Sequence, residues 1–90
     1  MYKINFHKKV KNDLEGVGKK ELTFVKKVIG NKLSKDPLLF GKQLQKSLNN
    51  YRSLRIGKYR IVYKIKSKEV YILVIGHRKD IYEKATKRID

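Results

Sequence analysis

Leu54-Arg55-Ile56-Gly57-Lys58-Tyr59-Arg60-Ile61-Val62-Tyr63 alternates apolar and polar residues on both sides of a Gly-Lys pair. A period of two is the mark of a half-buried strand, and a two-residue break that begins with glycine marks a tight hairpin. With Gly57-Lys58 as the loop, Ile56 faces Tyr59, Arg55 faces Arg60 and Leu54 faces Ile61. Leu54, Ile56, Tyr59 and Ile61 then share one face, extended by Tyr63 and Ile65. Arg55 and Arg60 lie side by side on the other. Like charges directly across a ladder are destabilising, so this pair implies either an anion between them or side chains splayed into solvent or toward Glu83 or Glu69.

Outward from this hairpin the pattern changes. Val70 to Ile75 is apolar throughout, as in a strand covered on both faces. The tail from Asp80 reads as a helix, with Asp80 able to cap it, Ile81, Ala85 and Ile89 on one stripe, and Glu83/Lys87 at i,i+4. At the other end, Tyr2-Lys3-Ile4-Asn5-Phe6 alternates as a strand. Val10, Leu14 and Val17 recur at helical spacing until Gly16 and Gly18 end that helix. Leu22, Val25, Ile29 and Leu33 then mark a second helix, flanked by Phe24 and Val28 and stopped by Asp36-Pro37. Gly30 inside it predicts a close packing contact. The expected fold is one α+β domain over residues 1–90. It has an N-terminal strand, an antiparallel helical hairpin packed on an antiparallel sheet of about four strands, and a short C-terminal helix.

The 90 residues include 24 Lys+Arg against 8 Asp+Glu, a formal net charge of +16. Such a balance predicts a polyanionic or acidic partner. A 40% hydrophobic fraction argues against disorder. The absence of cysteine removes disulfides, thiolate zinc sites and cysteine nucleophiles. With no long apolar run and no apolar signal core, a cytoplasmic protein with no membrane association is expected. The acids are scattered and the two histidines far apart, so no metal site is expected. Isolated glycines exclude a P-loop or dinucleotide fingerprint. Chemistry without a cofactor is the expectation.

Every arginine lies after residue 50, where planar guanidiniums are the better phosphate ligands. By parity, His77 should lie on or near the face of Arg60, with Arg78 next to it. Tyr51 and Tyr82 fall toward the same end, where they could stack on bases. Arginines beside a histidine suit phosphate chemistry, the cations holding a scissile phosphate and the imidazole moving a proton.

Tyr51-Arg52-Ser53-Leu54-Arg55-Ile56-Gly57-Lys58-Tyr59-Arg60-Ile61-Val62-Tyr63, followed by Ile75-Gly76-His77-Arg78-Lys79-Asp80-Ile81-Tyr82, resembles the RelE branch of the RelE/ParE toxin superfamily. Asp36-Pro37, Gly41-Lys42-Gln43-Leu44 and Leu48 continue the match, which spans nearly the whole chain. The resemblance implies a toxin that cleaves mRNA on the ribosome without metal or other cofactor and is silenced by an acidic, RelB-like antitoxin. It gives Arg60 the scissile phosphate, Arg78 the role of proton donor and Tyr82 that of orienting substrate. Arg52 and Arg55 match basic residues on the preceding strand, and Tyr51, Lys46 and Lys58 are further candidate RNA contacts. Spacing over residues 52–55 predicts a bulge. Some relatives carry a lysine base in residues 51–56; none is present here, so His77 becomes the candidate base. A gyrase-inhibiting ParE-like toxin and a non-catalytic basic RNA-binding module are the alternatives.

Overall fold

The computed structural model describes residues 1–89. Its elements are β1 (Lys3–Phe6), α1 (Val10–Glu15), α2 (Lys19–Val28), β2 (Lys42–Gln43), β3 (Arg52–Ile56), β4 (Tyr59–Lys66), β5 (Glu69–His77) and α3 (Ile81–Arg88). The sheet has five strands in the order β1-β5-β4-β3-β2. It is mixed rather than wholly antiparallel: β1 runs parallel to β5, with Ile4 opposite Val70. A parallel pair needs a long crossover, which α1, α2 and the following strands supply.

The central hairpin has the expected register, with Leu54 opposite Ile61, Arg55 opposite Arg60 and Ile56 opposite Tyr59. Gly57 takes φ +59°, the left-handed conformation that a Gly-first hairpin loop requires. Leu54, Ile56, Ile61 and Tyr63 pack with Val10, Val25, Val28 and Leu33 of the helical layer. On the other face, α3 lays Ile81 and Ala85 over Val62, Leu73 and Val74, with Leu48 and Tyr51 completing that cluster. The sheet is thus sandwiched, and Val70–Ile75 at the centre of β5 is apolar because both of its faces are covered.

Several local expectations are corrected. The second helix is α-helical only to Val28, and Ile29–Leu33 winds as a π-helix. A Cβ at Gly30 would meet nothing within 4 Å, so that glycine answers to no close contact. Asp80 occupies the N-cap position of α3 but makes no side-chain capping bond. The Glu83–Lys87 pair forms at 3.4 Å on an exposed surface and contributes little. No bulge interrupts β3, whose residues 52 to 56 pair one-for-one with β4. The irregularity lies instead in β5: Val62 faces Val74 while Tyr63 faces Ile72, leaving Leu73 as an extra residue. Leu73 and Val74 consequently both join the α3 cluster.

Tyr63 ties the chain between the helices and the sheet to the core. Its hydroxyl donates toward the carbonyls of Pro37 (2.8 Å) and Phe40 (2.6 Å). Burial pushes the Tyr63 pKa up, while the hydrogen bond and charge of Arg52 pull it down. Folding therefore favours the neutral phenol, and this contribution is complete below pH ~10 and lost as pH rises through the folded-state value. Tyr63→Phe should cost about 1–3 kcal/mol in urea unfolding near neutral pH. It should also remove that share of the parent's alkaline stability loss. An unchanged pH profile would contradict this assignment.

Candidate functional site: an acid-free cationic cleft

The alternation of β3 and β4 puts Ser53, Arg55 and Arg60 on the α3 side of the sheet, where the first turn of α3 delivers Tyr82. Arg60 Nη1 donates to the Tyr82 hydroxyl at 3.1 Å, and that hydroxyl donates to Ser53 Oγ at 3.3 Å. Arg60 Nε is buried and has no partner among the described residues. Arg55 is exposed, its Nε donating to the Gly57 carbonyl at 3.3 Å. Neither arginine turns to Glu69 or Glu83.

Above these residues opens a cleft of about 510 Å³, lined by Gly41, Lys42, Ser53, Arg55, Arg60 and Tyr82, with Gln43 and Leu44 at its edge. Among the described residues no carboxylate lines it. Lys42 stands opposite Ser53 in the β2–β3 pairing, so its side chain is on the same face as Arg60. The turn into β2 is fixed by Gly41, at φ +81°, where a Cβ would lie 2.5 Å from the Tyr63 hydroxyl. Lys42 was missing from the sequence-derived site because a two-residue strand shows no readable period. The only available signal was the Gly41-Lys42-Gln43-Leu44 run itself.

The other expected site residues scatter. His77 is on the opposite face, paired with Tyr59, its ring edge-on to the Tyr59 ring at 6.2 Å. The extra residue at Leu73 reverses the parity of β5 and carries His77 away from Arg60, which pairs instead with Gly76. His77 Nδ1 also accepts the Lys79 amide at 3.2 Å. Arg52 likewise faces the helical layer, donating from Nη2 to the carbonyls of Leu38 (3.1 Å) and Gly41 (3.0 Å), so it holds the loop and does not reach the cleft. Tyr51 is buried beneath α3 in the second core cluster and does not line the Arg60 cleft. Lys46 is exposed at φ +57° in the turn after β2.

Arg78 and Lys58 meet at the hairpin tip, where the Arg78 amide donates to the Lys58 carbonyl at 3.0 Å. Both side chains are exposed at the same end of the sheet as Arg55 and Arg60. Arg55, Arg60 and Tyr82 are therefore brought together, Arg78 and Lys58 are adjacent, and His77, Arg52, Tyr51 and Lys46 are not part of the cleft. Among the described residues no three His, Cys, Asp or Glu side chains cluster as metal ligands would. No helix among them is long and apolar enough to cross a membrane.

Residues 4–82 match the family model described as ParE toxin of type II toxin-antitoxin system, parDE. The chain is 34% identical over 85 residues to Toxin RelG of Mycobacterium tuberculosis, covering 92% of this chain and 98% of that protein. The toxin–antitoxin complex RelBE2 of M. tuberculosis contains a similar fold, with TM-score 0.80 and 33% identity over 86% of this chain and 98% of that one. The RelB–RelE complex of Methanococcus jannaschii matches with TM-score 0.68 and 25% identity over 88% and 95% of the two chains. Escherichia coli RelE, at 19% identity, shares the fold over 99% of this chain and 98% of its own, with TM-score 0.76. Motif, fold and relatives agree: this chain belongs to the RelE/ParE superfamily of type II toxin–antitoxin toxins.

Proposed function

We propose that this toxin is a RelE-like endoribonuclease that cleaves mRNA on the ribosome and so stops translation. In this reading a ribose 2′-hydroxyl attacks the adjacent phosphorus. The new 2′-O–P bond forms as the P–O5′ bond breaks, giving a 2′,3′-cyclic phosphate and a 5′-hydroxyl. One proton leaves the 2′-oxygen and one reaches the departing 5′-oxygen. The observation that carries the reading is the Arg60–Tyr82–Ser53 chain beneath an acid-free cleft that also holds Arg55 and Lys42. Fixed cations aimed at a phosphate stabilise the charge that grows on it, and they need no metal to do so.

Arg60, with its buried unpaired Nε, is the phosphate holder. Tyr82 orients the substrate, and Arg78 adds positive charge from the hairpin tip. An arginine is a poor proton donor near neutral pH, so Arg78 stabilises charge more than it transfers a proton. Lys42 replaces His77 as the group to test for proton transfer, since among the described residues it is the lysine that lines the Arg60 cleft. The ribosome would supply alignment of the strand, which is worth much of the barrier in such a reaction.

An acidic, RelB-like antitoxin is the proposed partner, in keeping with the RelB-containing complexes of the relatives. Lys8, Lys9, Lys11, Lys19, Lys20, Lys26 and Lys27 are all exposed and give such a segment a complementary field. The match to the ParE model favours one other reading, inhibition of DNA gyrase. Two assays on one preparation separate them: primer extension on ribosome-bound mRNA, and gyrase supercoiling. Cleavage on programmed ribosomes with supercoiling untouched is expected; intact mRNA with blocked supercoiling would replace the ribonuclease reading.

A further inference from the structure

The first turn of α3 borders the Arg60 cleft, and its last residues border another. This second cleft, of about 540 Å³, is lined by His7, Asn50, Tyr51, Lys64, Lys66 and Tyr71, with Arg88 and Ile89 at its α3 edge. Lys64 stands between two rings, its Nζ 5.5 Å from the Tyr51 centroid and 5.4 Å from that of Tyr71. His7 meets Tyr71 edge-on at 6.5 Å. Arg88 brings no free charge, because Asp13 pairs with it. Among the described residues, no carboxylate forms a salt bridge with Lys64 or Lys66. Burial first, and then Arg88, Lys8 and Lys9, lower the pKa of His7, while Asp13 opposes them.

We propose that this cleft binds the phosphodiester backbone of a single RNA strand, Lys64 and Lys66 holding phosphates and the His7 and Tyr71 rings giving faces to bases. The choice of RNA rests on the ribonuclease reading, but the site is read by binding and not by cleavage. A groove that combines cations with aromatic walls is the usual construction for single strands, because every base has a π-face. An acidic peptide would need the lysines alone, which the helical layer offers in plenty. An eight-residue helix spans about 12 Å, or about three to four nucleotides at stacked spacing. One strand passing along α3 can therefore occupy both clefts.

The test uses a labelled single-stranded RNA of about eight nucleotides, 2′-O-methylated throughout so that it cannot be cleaved, with affinity measured by fluorescence anisotropy over a salt series. Lys64→Gln/Lys66→Gln should weaken binding by about tenfold or more and reduce the salt slope by about 1.4, the value for two phosphate contacts on a single strand. Lys26→Gln/Lys27→Gln removes the same charge from exposed positions of α2 and should change much less. Equal losses in the two variants, or parent affinity and slope in the first, would overturn the proposal. Inorganic phosphate competing as well as the oligonucleotide would assign the cleft to a free anion, and tighter binding of a poly-glutamate peptide would assign it to an acidic protein. Either result also overturns it. Loss of mRNA cleavage with RNA still bound here would fault the ribonuclease reading alone.

Discussion

Arg60→Ala should slow cleavage of ribosome-bound mRNA by about 100- to 1,000-fold, the usual loss when one preorganised charge-stabilising group is removed. Arg60 is half-buried under Tyr82 and holds that hydroxyl at 3.1 Å, so its loss removes a cation and also frees the ring above it. Arg60→Lys keeps the charge but not the fork and should recover only part of the rate. Tyr82→Phe breaks the link to Ser53 and separates the hydroxyl's role from the ring's. His77→Ala should cleave at the parent rate, because its ring lies against Tyr59 on the far face. Single-turnover primer extension measures all of these. Parent rates for Arg60→Ala would move the chemistry elsewhere, and a deep loss for His77→Ala would mean that the sheet rearranges on the ribosome.

Arg88→Ala should destabilise the fold by about 3–5 kcal/mol, as breaking one side of a buried ion pair generally does. The Asp13 and Arg88 side chains are only 3% and 11% exposed, and they pair through both guanidinium nitrogens at 2.6 Å. The reason lies in the sheet edge. β1 ends at Phe6, opposite Ile72, so the next residues of β5 have no strand on that side. Asp13 Oδ2 accepts the Ile75 amide at 3.1 Å, and Arg88 Nη1 donates to the Leu73 carbonyl at 3.1 Å. The pair thus stands in for the missing strand and fastens α1 and α3 to β5. Arg88→Ala leaves a buried carboxylate unpaired, whereas Arg88→Lys keeps the charge and should cost less. Urea unfolding midpoints measure both, and a shift below about 1 kcal/mol for Arg88→Ala would show the pair to be ornamental.

What the sequence disclosed followed from period. The β3–β4 hairpin was legible because its two faces differ at every step, so register and loop fall out of a single alignment of Leu54 with Ile61. The placement of Arg55 beside Arg60 came with it. Val70–Ile75 offered no such alternation: both faces of β5 are covered, and the extra residue at Leu73 left no mark in a run of apolar side chains. That one residue turned His77 to the wrong face. The direction of Arg52 was hidden for a different reason, since its targets are carbonyls of an irregular loop, Leu38 and Gly41, which carry no side-chain signature. The Asp13–Arg88 pair was equally hidden, as nothing local connects positions 75 residues apart. Lys42 entered the cleft through a two-residue strand too short to recognise.

The most direct test of the central claim is the chemistry of the ends left on mRNA recovered from programmed ribosomes after treatment with the purified toxin. The proposed attack by the 2′-hydroxyl at the Arg60–Tyr82 cleft predicts a 5′-hydroxyl on one fragment and a 2′,3′-cyclic phosphate on the other. A 2′-deoxy substitution at the scissile position should then abolish the cut. Fragments bearing 5′-phosphate and 3′-hydroxyl ends, or cleavage that survives the 2′-deoxy substitution, would contradict the account.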